Sequence, residues 1–117
     1  MFYGYEPFDG AKATYVWTGV KEPGFFHVEA WGEVRNYTPI VELVRDQRWV
    51  GGLKIDVMGW TGPIGEGNRP YRVLANFPGQ FYPEIVVQGS NKREVIKVEE
   101  IPPERAEDYL KELAEAV

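Results

Sequence analysis

The sequence contains no cysteine and one histidine, His27. The first absence excludes a disulfide framework, a zinc knuckle, a thiol nucleophile and a cysteine-ligated iron–sulfur cluster. The second excludes multi-histidine metal sites, so neither a metal nor a cofactor is expected. Long apolar runs are also missing. The best candidates, such as Glu84-Ile-Val-Val-Gln88, are strand-length and fall far short of the ~20 residues that cross a bilayer. Met1–Gly10 has no basic start, apolar core or small-residue cleavage site, so it does not read as a signal peptide. The expectation is a cytoplasmic protein that does not engage membranes. No linker or low-complexity stretch divides the 117 residues, and residues 1–117 read as a single domain.

Against these absences stand four Trp, seven Tyr and six Phe, in a chain that is 44% hydrophobic and 26% charged, a globular mix. The net charge of −5 is local: residues 99–117 hold seven acids and two bases, whereas residues 1–98 hold eleven of each sign. Within that neutral body, residues 1–44 sum to −3 and residues 45–98 to +3. Overall acidity therefore does not exclude an anionic ligand on the body. Nine prolines, frequent Glu and Arg and the lack of Cys also suit a thermophile.

Residues 103–117 place Ala106, Tyr109, Leu110, Leu113, Ala114 and Val117 at helical spacing, with Pro103 suited to the first turn. Such a short helix needs a partner, and its apolar stripe is expected to pack on a sheet. About six strands are expected, over residues 13–18, 25–34, 53–58, 71–77, 84–88 and 94–98, from alternation and β-branched or aromatic content. Residues 89–93 read as a hairpin turn between the last two. Residues 40–47 read as a short helix with Ile40, Leu43 and Val44 on one face. Trp17-Thr18-Gly19 and Trp60-Thr61-Gly62 recur 43 residues apart, and Lys12, Lys54 and Lys97 recur at similar spacing. A duplication would require residues 12–45 and 54–88 to share a backbone path. The fold expected is α+β: a mainly antiparallel, twisted sheet, able to curl into a half-barrel, with the C-terminal helix packed on it.

Three features carry candidate chemistry. His27, Glu29, Trp31 and Glu33 alternate with buried-type residues and share a polar strand face, where His27 beside Glu29 has the composition of a general base with a partner. Residues 59–70 hold four glycines and two prolines and read as a long binding loop, from which Arg69 and, just beyond it, Arg72 can take a phosphate or carboxylate. No phosphate-loop pattern accompanies them. Trp31 and Trp60 are the aromatics with most claim to a pocket or interface, the others being needed in the core. The leading functional reading is a non-enzymatic binding or interaction domain, dimeric through exposed aromatics, with Trp31, Trp60, Arg69, Arg72, His27 and Glu29 as binding residues. The alternatives are single-stranded nucleic-acid binding through residues 45–98 and a small enzyme using His27 with Glu29 or Asp56.

Overall fold

The computed structural model describes residues 2–17, 23–35, 38, 40–62 and 67–115. Among these, eight strands and one helix follow in the order β1 (Phe2–Tyr5), β2 (Gly10–Val16), β3 (Phe25–Arg35), β4 (Ile40–Arg45), β5 (Lys54–Thr61), β6 (Asn68–Pro78), β7 (Glu84–Gln88), β8 (Arg93–Ile101) and α1 (Pro103–Glu115). The strands form one sheet in the order β1-β5-β7-β8-β2-β3-β6, with β4 also on β5. Because β4 covers one edge of β5 along residues 55–60, β1 and β7 must share the other edge, end to end. The sheet curls into a half-barrel. It is mixed: β2 runs parallel to β8 and β5 parallel to β7, the remaining ladders being antiparallel. The expected architecture is present, with eight strands in place of about six.

Two expectations are corrected, and the possible duplication is decided against. Residues 40–45 are strand, with Val41 and Leu43 buried and Ile40 and Glu42 exposed. Ile40, Val41 and Val44 are β-branched, and period-two burial against β5 outweighs a weak helical spacing. The long loop is shorter than expected, since Gly59–Thr61 finish β5 and Asn68–Pro70 begin β6. Pro70 is tolerated there because β6 is an edge strand, whose open side needs no ladder donor. Finally, β2 pairs with β3, whereas β5 and β6 share no ladder among the described residues, so the two segments of the supposed duplication take different paths. Thr18 and Gly19 of that repeat lie outside the described residues.

Phe8, Tyr15, Phe26, Val28, Ala30, Ile55, Val57, Ile85 and Val87 fill the interior. One end is plugged by rings: Tyr15 meets Trp17, Phe26 and Phe81 edge-on, and Phe26 stacks on Tyr82. The open edges β4 and β6 are clasped by two arginines. Arg69 Nη2 donates to the Thr38 carbonyl, and Arg45 Nη1 donates to the Pro78 carbonyl at 3.3 Å. The helix docks on the outer surface, where Ala106 and Tyr109 pack with Val16, Phe25 and Ile101. Further along the helix, Leu110 and Ala114 are exposed.

Candidate functional site

The long strand β3 pairs with β2 on one side and β6 on the other, and the registers decide which outward residues meet. Lys12 lies opposite Glu29, Thr14 opposite His27, His27 opposite Asn76, and Trp31 opposite Arg72. The alternation of β3 is that expected: Phe26, Val28, Ala30 and Val34 point inward, and His27, Glu29, Trp31 and Glu33 outward. Helix α1 then overhangs one end of this polar row. The result is a cleft of about 200 Å³ lined by Lys12, Thr14, His27, Glu29, Arg72 and Tyr109.

Within the cleft, Arg72 Nε donates to Glu29 Oε1 at 2.6 Å. That hydrogen bond holds the Glu29 carboxyl below the usual carboxylate range; partial burial works against it, and the charges of Arg72, His27 and Lys12 add to it. Glu29 in turn raises the Arg72 guanidinium further. Engagement through Nε leaves the two terminal nitrogens of Arg72 available. His27 Nδ1 lies 2.7 Å from Asn76 Oδ1, so Nδ1 carries a proton in this arrangement. His27 Nε2 is buried and has no hydrogen-bond partner. The ring is met edge-on by Tyr109 at 6.3 Å between centroids. Lys12 has a loose ion pair, 3.9 Å, to Glu99.

Three of the six expected binding residues, His27, Glu29 and Arg72, therefore converge. Trp31 is next to them in the ladder, its ring lying over Gly10, where a Cβ would approach to 2.6 Å. Arg69 is spent on the clasp between the sheet edges. Trp60 lies on β5, tilted against Tyr3 with centroids 4.9 Å apart. Asp56 is hydrogen-bonded to Lys54 and takes no part in the His27 cleft. Lys12, Thr14 and Tyr109 were not singled out from sequence. Their membership depends on strand register and helix docking, which leave no local mark in the chain.

The chain matches no protein-family model, no curated protein and no solved structure. Among the described residues no helix is long and apolar enough to cross a membrane.

Proposed function

We propose that the protein is a non-enzymatic binding domain whose outer cleft takes a small anion, a carboxylate or a phosphate, between Arg72 and Lys12. The observation that carries this reading is the convergence of two cations with a hydrogen-bonded carboxylate that fixes the guanidinium plane, at the edge of a ring. A guanidinium held at Nε presents its remaining donors in a fixed fork, the geometry that carboxylates and phosphates match. Catalysis gains less support, because the Glu29 carboxylate that would partner His27 is engaged by Arg72, and His27 Nδ1 by Asn76. Titration of inorganic phosphate and acetate, followed by amide shifts, tests this. Shifts should gather at residues 12–14, 27–29 and 72, and vanish in Arg72→Ala. Shifts scattered over the surface would refute it.

Self-association is the second reading, supported by one row of exposed apolar side chains. Tyr3 and Ile40 flank Trp60 in register on opposite edges of β5, and are 41%, 57% and 44% exposed, respectively. A homodimer would cover them through a self-complementary face. Sedimentation should give a dimer that Trp60→Lys converts to monomer; a monomeric parent chain rejects it. The nucleic-acid reading gains less support, because the basic residues invoked for it are turned to intramolecular use. Arg45 and Arg69 clasp the sheet edges, and Arg93 donates to Gln88.

A further inference from the structure

The end of the half-barrel opposite the aromatic plug opens into a separate cavity of about 460 Å³. Its rim is polar and exposed, formed by Tyr5, Glu33, Arg35, Asn68 and Ser90, and its floor holds Glu6 and Thr38. Two features mark this floor as built. Thr38 is 1% exposed, yet its Oγ1 has no hydrogen-bond partner, although its backbone is tied on both sides, to the Arg35 carbonyl and by Arg69. A buried hydroxyl left unpaired carries a desolvation cost that a bound group would remove. Glu6 is 8% exposed, its backbone fixed by hydrogen bonds to Val57 and from Ser90. Thr61 Oγ1 donates to Glu6 Oε1 at 2.9 Å, orienting a carboxyl that still has capacity for further donors. Gly59 makes the room: a Cβ there would come within 2.7 Å of Glu6 Cγ and 3.0 Å of the Ile40 carbonyl oxygen.

We infer that this mouth is a second binding site, for a small amine carrying hydroxyl groups. An ammonium satisfies the buried Glu6 carboxyl, and ligand hydroxyls satisfy Thr38 on the floor and Asn68 and Ser90 at the rim. The volume suits a ligand of sugar size. Among the described residues no group of three or more acidic or histidine side chains is placed to hold a metal ion, so an organic cation fits this floor better than a metal.

Glucosamine and ethanolamine, with glucose as the uncharged control, are titrated at matched ionic strength and followed by amide chemical shifts. Glucosamine should perturb Glu6, Val34, Thr38, Thr61 and Ser90 and bind at least ~10-fold more tightly than glucose. Glu6→Gln should weaken it about 10- to 100-fold, the loss of one charge-assisted hydrogen bond. Thr38→Val keeps shape and removes the hydroxyl, and should weaken it about 3- to 10-fold; it carries the test if Glu6→Gln does not fold. Lys97→Ala, on the exposed face of β8, should change nothing. Equal binding of glucose and glucosamine, no perturbation at the mouth, or unaltered affinity in a folded Glu6→Gln or Thr38→Val variant would overturn the inference.

Discussion

Tyr109 stands edge-on to His27, their ring planes at 81° and their centroids 6.3 Å apart. This contact joins the helix to the sheet at the rim of the outer cleft. Because His27 is the sole histidine, it can be read chemically without ambiguity. With Nε2 buried and Nδ1 bonded to Asn76, His27 should react slowly with diethylpyrocarbonate in the parent chain. Tyr109→Ala should speed that reaction and raise hydrogen exchange across residues 103–115, while exchange at Tyr15 and Val28 in the core stays as it was. Fast acylation in the parent chain would show that the ring does not cover His27.

The hydroxyl of Tyr15 links two loops. It accepts from the Gly24 backbone N–H at 2.7 Å and donates to the Gly79 carbonyl at 2.7 Å, in a side chain with no solvent exposure. Tyr15→Phe keeps the ring packing and strands a buried N–H, so a loss of about 1–3 kcal/mol is expected in urea unfolding. A loss below ~0.5 kcal/mol, the usual scale of surface changes, would mean that water replaces the phenol.

Glu29 gives the outer cleft an acid limb. Its carboxyl titrates below the ordinary value because Arg72 donates to it. A group with a lowered folded pKa stabilises fully above its unfolded value, near ~4.3, and loses that contribution as pH falls through the folded value. Carboxyl-detected NMR should place the Glu29 midpoint below that of exposed glutamates. Arg72→Ala should bring it back up, and an unmoved midpoint would show that the hydrogen bond is not its cause.

Much of this was legible in the chain. The alternation through Phe26, Val28, Ala30 and Val34 set which face of β3 is polar, and the faces are as read. Helical spacing from Ala106 to Tyr109 located α1. Pairing was legible only for the hairpin of β7 and β8. The four-residue β1 is too short to show a period, and β4 mixes both periods in six residues. The outer cleft was half legible for the same reason. His27 and Glu29 share one strand, so alternation groups them, but Arg72 and Lys12 join through registers set by the curl of the whole sheet. The mouth cavity left no motif, because Glu6, Gly59 and Thr38 lie far apart in sequence and each is ordinary alone.

Lys54 supplies the strongest electrostatic test. Its side chain is 4% exposed, and its ammonium donates to Asp56 at 2.7 Å and Asp46 at 2.9 Å, with the rings of Tyr5 and Trp49 each 5.9 Å away. Burial alone would lower its pKa; the two carboxylates outweigh burial and raise it. The Lys54 hydrogen bond, with the Arg48 backbone N–H, lowers Asp46. The signs then fix a window. The lysine's contribution is present below its unfolded value, near ~10.4, and is lost as pH rises through the higher folded value; that of Asp46 is present above ~3.9 and is lost as pH falls through the lower one. Between these limits Lys54→Ala removes a buried cation and leaves two carboxylates facing each other, so a loss of about 3 kcal/mol is expected at neutral pH. The gap between variant and parent should narrow toward pH ~3, where protonation relieves the carboxylates. Urea unfolding at both pH values checks this. A neutral-pH loss under ~1 kcal/mol, the scale of an exposed ion pair, would show that water reaches the ammonium and that the Lys54 pairs add little to the fold.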